Sequence, residues 1–417
     1  MTHKKTTIEI LTEKTLTANT DQTVDVLVRI TPPQMDQTAS KRPKLNLSMV
    51  LDRSGSMSGR KLEEAKEAAK YCVDQLLATD RISTVIFDDY IDVLIPSQPV
   101  ENKDLLKRSI NSIVANGSTA LHEAWVRGGL QVSDHLNGAS INRVLLITDG
   151  QANVGETRVS SIVTQAGELA AKGVTTSTIG IGEDFNEDLL MPMAEAGLGN
   201  AWHVQEPQDM VRIFETELQG LVSQIGHTVR LGIRPTAGVM VVDVLNDFET
   251  DGAGRYKLPN LRAGSPLEIV VRMSVPSHSV GDAALADFEL SYVEQDSHVP
   301  ISVTSLFSAK FDTAEVTASL ASNPAVINAV QLLMNARARL EAIARMDRGD
   351  YVGMQHALIS ACEETDVAFS MAPSPELERE REELAELGEA LKSRANDTFT
   401  RKHMAYSRES RRKGHNQ

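Results

Sequence analysis

The chain has 417 residues, which is enough for two or three domains of ordinary size. Aromatic residues make up only 4% of it, so the core of each domain has to be built mainly from aliphatic side chains. The formal net charge of -15 argues against a general nucleic-acid binder, and it fits a soluble protein or one that attracts cations.

Residues 1–43 predict two β-strands followed by a linker. Polar and apolar residues alternate over 7–11 and 23–30, as they do in half-buried strands. Residues 32–43 are polar, with several prolines, and predict a linker. Because an isolated hairpin is barely stable, we predict that the N-terminal strands join a β module formed later in the chain.

Residues 44–225 alternate between strand and helix patterns. Apolar runs at 45–51 and 144–148 predict buried strands, and apolar residues at helical spacing over 59–77 predict a helix between them. Two short strands within 81–95 are too close for a crossover helix and predict an antiparallel hairpin. This alternation predicts an α/β domain with a doubly wound, mostly parallel sheet and helices on both faces.

The second half of the chain changes character twice. Residues 226–310 contain short strand patterns between turn residues, and with residues 1–43 they predict one β-sandwich. The α/β domain of residues 44–225 would then be inserted into this sandwich. Residues 311–395 show helical patterns and predict a C-terminal helical region. Residues 396–417 are polar and basic without apolar spacing, which predicts a disordered tail.

Three segments of the α/β domain carry oxygen-bearing side chains where a strand ends or a helix begins. Asp52, Ser54 and Ser56 follow the first buried strand, Thr119 lies in a turn before a helix, and Asp149 ends the strand at 144–148. Ligands of such sheets lie beyond the carboxyl ends of the strands, so these side chains can meet there. Carboxylates and hydroxyls are the hard ligands that suit Mg²⁺.

Each of these residues also has an ordinary structural interpretation. Asp at the end of a strand stabilises turns, and Ser or Thr before a helix serves as its N-cap. For Asp52 or Asp149 taken alone we favour the turn interpretation. For all three segments, occurring in this order at these positions, we favour a metal site.

The Asp-x-Ser-x-Ser pattern of residues 52–56, followed by Thr119 and Asp149, resembles the metal-ion-dependent adhesion site (MIDAS) of the von Willebrand factor A (VWA) domain family. The resemblance covers roughly residues 44–225, and the chain looks like a bacterial intracellular-type member of the family. It implies a Rossmann-like fold and bound Mg²⁺, or alternatively Mn²⁺ or Ca²⁺. It further implies that the three hydroxyls bind the ion directly, whereas the two carboxylates bind it directly or through water.

The resemblance implies a scaffold or interaction module, and not an enzyme, in which the metal captures an Asp or Glu carboxylate of another protein. No catalytic residue and no further cofactor are expected. One alternative is a metal-dependent hydrolase or phosphatase in which Asp52 or Asp149 acts as nucleophile or base. Others are an accessory factor of an AAA+ ATPase or kinase system, or a scaffold with a vestigial site.

Cysteine content and hydropathy predict a cytoplasmic protein without a membrane span. Cys72 and Cys362 lie far apart and form no disulfide or metal-binding pattern, as is usual in a reducing compartment. No apolar run approaches the ~20 residues that a membrane helix needs, and no secretory signal is apparent. The oligomeric state cannot be inferred from these features.

Two features near the predicted site receive plainer interpretations. Asp88 and Asp89 lie in a hairpin turn, and we expect solvated turn residues there. Residues 150–153 border the site, and Asn153 could contact a ligand.

Overall fold

The computed structural model describes residues 5–34, 43–138, 140–150, 154–182, 185–204, 206–295, 297–393 and 398–413. The chain divides into two compact units. The inserted unit consists of Ala39–Gln224 and Gln295–His298, and the flanking unit of Met1–Thr38, Ile225–Glu294 and Val299–Gln417. Along the sequence, the inserted unit therefore interrupts the flanking unit.

The elements are numbered in chain order over the described residues. The strands are β1 (Thr7–Thr12), β2 (Leu16–Thr17), β3 (Gln22–Thr31), β4 (Lys44–Asp52), β5 (Arg81–Phe87), β6 (Ile91–Pro99), β7 (Ser140–Thr148), β8 (Thr175–Ile181), β9 (Ala201–Val204), β10 (Gln224–Pro235), β11 (Met240–Val244), β12 (Tyr256–Lys257), β13 (Leu261–Arg262), β14 (Leu267–Val275), β15 (Gly281–Glu294) and β16 (Pro300–Asp312). The helices are α1 (Arg60–Gln75), α2 (Lys103–Asn111), α3 (Leu121–Ser133), α4 (Val159–Ala171), α5 (Glu187–Ala196), α6 (Met210–Val222), α7 (Ala314–Ser319), α8 (Pro324–Met346), α9 (Tyr351–Met371), α10 (Pro375–Ser393) and α11 (Thr398–Arg412).

The inserted unit is built on one sheet with strand order β6-β5-β4-β7-β8-β9. All neighbouring strands are parallel except β5 and β6, which form the antiparallel hairpin expected from their short connection. Helices connect the parallel strands, as this topology requires. The predicted fold class, a doubly wound and mostly parallel α/β sheet, is confirmed.

The central strand β4 is buried on both faces, which explains its mainly apolar sequence. Leu47, Met49 and Leu51 pack into one apolar core with residues of α1 and α6. Because strand side chains alternate, Val50 points to the opposite face, where α3 passes. A Cβ at Gly128 of α3 would lie only 2.3 Å from Val50 Cγ2, so glycine permits this close approach.

The flanking unit contains two sheets that share one apolar core, as in a β-sandwich. One sheet has the order β1-β3-β14-β11, and the other has the order β12-β10-β15-β16-β2, with β13 paired to β10. β3 pairs antiparallel with β14, and β2 pairs parallel with β16. Strands from residues 1–43 are thus hydrogen-bonded to strands formed after residue 225.

The helices after β16 form a second apolar cluster within the flanking unit. Met346 of α8, Met354 and Leu358 of α9, Leu384 of α10 and Met404 of α11 are all buried in it. Among the described residues, no helix combines the length and the apolar character that crossing a membrane requires.

The prediction of a disordered tail over residues 396–417 is wrong for the part that the structure describes. Residues 398–412 form α11, in which Met404 is fully buried. Arg411 Nε lies 3.1 Å from Glu380 Oε2 on α10, and Arg401 Nε lies 2.8 Å from Asp347 Oδ1. These basic residues pair with carboxylates of α10 and of the residue that follows α8, and such pairing leaves no apolar period in the local sequence.

Candidate metal centre

The five predicted ligands come together at the carboxyl edge of the inserted unit's sheet. Asp52 is the last residue of β4, and Asp149 directly follows β7. These strands are parallel neighbours, so their carboxyl ends meet at one edge. The strand order also reverses between β4 and β7, and open parallel sheets bind their ligands at such a switch point.

A chain of close oxygen contacts joins the first loop to Asp149. Ser54 Oγ lies 3.1 Å from Ser56 Oγ. Ser56 Oγ in turn donates a hydrogen bond of 2.7 Å to Asp149 Oδ1. Asp149 is fully buried, and Ser54 is nearly so. Three of the five predicted ligands therefore form one connected group.

Asp52 is tied into the same region by both of its carboxylate oxygens. Its Oδ1 accepts a 2.8 Å hydrogen bond from the Ser54 backbone N–H, which fixes the turn after β4. Its Oδ2 accepts a hydrogen bond from the Thr148 hydroxyl at the end of β7. Burial raises the pKa of the Asp52 carboxyl to about 6, and these hydrogen bonds only partly oppose that rise. The negative charge of Asp149 raises the pKa further.

Thr119 reaches the site from a separate loop. A Cβ built on Gly150 would lie 3.2 Å from Thr119 Oγ1 and 3.7 Å from Asp52 Oδ2, which places both oxygens around the same point. Thr119 is 4% exposed. A side chain at position 150 would press against the Thr119 hydroxyl, so Gly150 leaves room for this hydroxyl.

The turn between β5 and β6 holds the Thr119 loop in place. Ala120 N donates to the Asp88 carbonyl at 3.0 Å, and Ser118 N donates to Asp89 Oδ1 at 2.9 Å. Gly55 N donates to the Gly117 carbonyl at 3.0 Å, which connects the same loop to the Asp52 turn. Backbone hydrogen bonds thus fix the two hydroxyl-bearing loops relative to each other.

The expectation of a solvated turn at Asp88 is wrong. Asp88 is fully buried, and Arg53 Nη2 lies 3.0 Å from its Oδ2. Arg53 belongs to the Asp-x-Ser-x-Ser loop, so this ion pair attaches that loop to the β5–β6 turn. The contact joins residues 35 positions apart in sequence, and nothing local to the turn reveals it.

Lys61 is a further residue at the site, and sequence analysis missed it. Its Nζ lies 2.5 Å from Asp149 Oδ2, the oxygen that Ser56 does not contact. Lys61 is in the first turn of α1, where acidic residues are usual because the helix dipole is positive there. The two adjacent basic residues Arg60 and Lys61 at this position were the available signal. Residues 151–153, including Asn153, lie outside the described residues.

The donor set fits a hard divalent cation. It comprises two fully buried carboxylates and three hydroxyls, all of them oxygen donors. Among the described residues, no group of three or more His, Cys, Asp or Glu side chains could hold a metal. A metal held by the described residues of this unit would therefore depend on the hydroxyls, which suits Mg²⁺ or Mn²⁺ better than a soft ion.

Comparison with known proteins agrees with this architecture. The family model for the von Willebrand factor type A domain matches residues 46–216. An uncharacterized protein of Synechocystis sp. is 31% identical over 206 residues, which cover 48% of this chain and 48% of that relative. The chain thus spans about half the length of this curated relative.

Two solved structures share the fold across most of the chain. The von Willebrand factor type A protein from Catenulispora acidiphila superimposes with a TM-score of 0.68 at 19% identity, covering 87% of each chain. The ArnB paralog VWA2 from Sulfolobus acidocaldarius gives a TM-score of 0.61 at 18% identity, covering 99% of each chain. At these identities the likeness establishes the fold alone. The match to the family model shows that the chain contains a von Willebrand factor type A (VWA) domain, which covers residues 46–216.

Proposed function

We propose that this protein is a divalent-cation-dependent interaction module that captures an Asp or Glu carboxylate of a partner protein. The VWA domain is itself a protein-interaction module. The cation would be held by Ser54, Ser56 and Thr119, with Asp52 and Asp149 binding it directly or through water. Mg²⁺ is the first candidate, and Mn²⁺ or Ca²⁺ are alternatives.

The convergence of the five side chains at one sheet edge is the observation that carries this proposal. The Ser54, Ser56 and Asp149 oxygens form a connected series at 3.1 and 2.7 Å, and Thr119 and Asp52 surround the same glycine. Hydrogen bonds from backbone N–H groups fix these loops, so the oxygens are positioned before any ion arrives.

The choice of ligands explains why the metal would seek an outside carboxylate. Hydroxyl ligands are neutral, so they leave much of the positive charge of a divalent ion uncompensated. Mg²⁺ takes six oxygens and usually keeps several waters, which an incoming carboxylate can replace. When bound, the ion supplies the electrostatic attraction, and the protein loops supply its position.

The same contacts support a role other than catalysis. Both oxygens of Asp52 accept hydrogen bonds, and both oxygens of Asp149 are engaged by Ser56 and Lys61. A carboxylate used as a nucleophile or general base needs an oxygen directed at a substrate. The contacts of Asp52 and Asp149 therefore support an interaction role over a hydrolytic one.

Titration of the full-length protein with MgCl₂ and MnCl₂ in a calorimeter tests the metal site. We expect Ser54→Ala and Thr119→Ala to weaken binding by at least about tenfold, because each removes a proposed ligand. Ser58→Ala is the matched control, because Ser58 is exposed and contributes no proposed ligand. Equal affinities in all four proteins would overturn the proposed site.

Partner capture is tested with tagged protein and lysate of the source organism, in Mg²⁺ and again in EDTA. We expect a partner that is retained in Mg²⁺, lost in EDTA and lost with Thr119→Ala. Replacing the acidic residues of its contact segment by Asn or Gln should abolish retention as well. A partner that stays bound in EDTA would contradict a metal-dependent mechanism.

We further propose a cytoplasmic location, on the chemistry of the two thiols. Cys72 and Cys362 are both free, and burial raises the pKa of the Cys72 thiol to about 12. Unpaired cysteines are usual in a reducing compartment. Fractionation of the source cells with a specific antibody tests this location, and recovery outside the cytoplasm would contradict it.

A further inference from the structure

We propose that Lys61 competes with the divalent cation for Asp149, so that its ammonium group has to be displaced when the metal binds. This inference rests on the proposed metal site and assigns to that site a built-in control of its affinity. Lys61 is not one of the proposed ligands, and it carries the same sign of charge as the ion.

The geometry places Lys61 on the carboxylate at the centre of the site. Lys61 Nζ lies 2.5 Å from Asp149 Oδ2, while Ser56 Oγ donates to Asp149 Oδ1 at 2.7 Å. The ammonium and a proposed metal ligand therefore hold the two oxygens of a single carboxylate. Because Asp149 is fully buried, its charge needs a compensating cation, and Lys61 provides one.

A divalent ion held by Ser54, Ser56 and Thr119 would give Asp149 the same compensation with twice the charge. Two cations at one buried carboxylate repel each other, and that repulsion is strong where water is excluded. The ion and the ammonium therefore exclude one another, and the measured metal affinity includes the free energy of breaking the Lys61–Asp149 pair.

The position of Lys61 allows it to leave. The side chain is 27% exposed, and its four-carbon stem is flexible. The neighbouring Gly182, at the end of β8, has no side chain, and a Cβ built there would be 3.5 Å from Lys61 Cε. Asp149, in contrast, is fully buried at the end of β7 and cannot follow. The lysine is thus the mobile member of the pair.

Calorimetric titration of the full-length protein with MnCl₂ tests the competition. Lys61→Gln and Lys61→Met remove the charge, and we expect each to bind Mn²⁺ about tenfold more tightly than wild type. Lys61→Arg retains the charge and should stay near wild type. Lys70→Gln is the matched control, because Lys70 lies on the same helix and pairs with Glu67, outside the site.

Thermal unfolding gives a second measurement that does not depend on the titration. In EDTA, Lys61→Gln should lower the melting temperature, because Asp149 loses its counter-charge. At saturating Mn²⁺ the difference from wild type should disappear, because the ion replaces the lysine. An equal difference in both buffers would assign Lys61 a purely structural role and overturn the inference.

The outcomes separate this inference from the proposed function. If wild type binds Mn²⁺ and Lys61→Gln binds it no more tightly, the competition is refuted and the metal site stands. If neither protein binds Mn²⁺, the proposed metal site and the inference both fall. Binding by Lys61→Gln that wild type does not show would support the competition in its strongest form.

Discussion

Two regions of this molecule bury charged side chains, and they balance those charges differently. In the C-terminal helices, Arg339 is fully buried and pairs with the equally buried Glu380, which also contacts Arg411. Arg339 and Arg411 both reach Glu383 as well, so two cations face two anions. At the VWA sheet edge, Asp52 and Asp149 are both fully buried, and Lys61 supplies one positive charge to Asp149.

This difference distinguishes a structural network from a site that can accept a ligand. In a balanced set, buried charges of opposite sign compensate one another, and an added ion would disturb their pairing. A set with excess negative charge and hydroxyl oxygens at short distance is completed by a cation. The burial of a charged side chain therefore does not distinguish a structural group from a binding site until the partner of that side chain is known.

Breaking the balanced network should have the largest effect on stability. Arg339→Met leaves Glu380 buried with only part of its compensation, and we expect a loss of about 3–5 kcal/mol in the free energy of unfolding. Urea denaturation followed by circular dichroism measures it. Arg345→Met is the control, since Arg345 forms exposed pairs with Glu341 and Asp350 and should cost far less. Similar losses in both variants would refute the comparison.

Completing the unbalanced site should stabilise the inserted unit. At a metal concentration one hundred times the dissociation constant, binding adds about 2.7 kcal/mol to the free energy of unfolding of this unit. Trp125 and Trp202 are the only tryptophans of the chain, and both belong to the inserted unit, so their fluorescence reports its unfolding. We expect MgCl₂ to raise the unfolding midpoint relative to EDTA, whereas KCl at equal ionic strength should not. An Asp149→Asn variant that still responds fully to MgCl₂ would argue against the site.

The Arg53–Asp88 ion pair sharpens the comparison, because it is balanced yet adjoins the site. Arg53→Met leaves Asp88 buried without its counter-charge, and we expect a loss of about 2 kcal/mol, less than for a fully buried pair because Arg53 is partly exposed. Metal affinity should change little, since the backbone hydrogen bond from Gly55 to Gly117 still joins the two loops without the Arg53 side chain. Tryptophan fluorescence in urea and metal titration measure the two effects. A large loss of affinity would instead make Arg53 a positioning residue.

A pH-dependent effect is expected at Glu217, a balanced group within the inserted unit. Burial raises the pKa of Glu217, but the Arg143 charge and hydrogen bonds from Ser177, Asn200 and Trp202 outweigh it, so the pKa lies below the ordinary 4.5. The ionised form therefore stabilises the fold above pH 4.5, and this contribution is lost as the pH falls through the lowered pKa.

Glu217→Gln provides the test of this pH dependence. The stability difference between wild type and the variant should narrow as the pH is lowered from neutrality to below 4.5. Trp202 donates a 2.9 Å hydrogen bond to Glu217, so its fluorescence reports directly on the group. A constant difference across this range would contradict the assignment.

Much of the inserted unit could be predicted from the sequence. The apolar run of β4 identifies a strand that is buried on both faces, and the short interval between β5 and β6 identifies a hairpin. The location of Asp52 and Asp149 follows from these elements, because parallel neighbouring strands end at one edge. Metal binding by these residues remains a prediction.

The partners of charged side chains could not be predicted. Lys61 meets Asp149 across 88 positions of sequence, and no periodic pattern records such a contact. Asp88 appeared to be a solvated turn residue because turns are usually exposed, yet Arg53 and the surrounding loops cover it. The basic residues of α11 have the composition of a disordered segment until the carboxylates of α10 are brought beside them.

The sequence alone determined the order of strands and helices in the inserted unit and the loops that carry the five proposed oxygen ligands. Apolar periodicity and turn residues act over a few positions, so they can be read locally. Only the tertiary structure decided which buried charges are compensated, because that depends on side chains brought together from distant parts of the chain. Lys61, the residue that we expect to govern metal affinity, belongs to this second class.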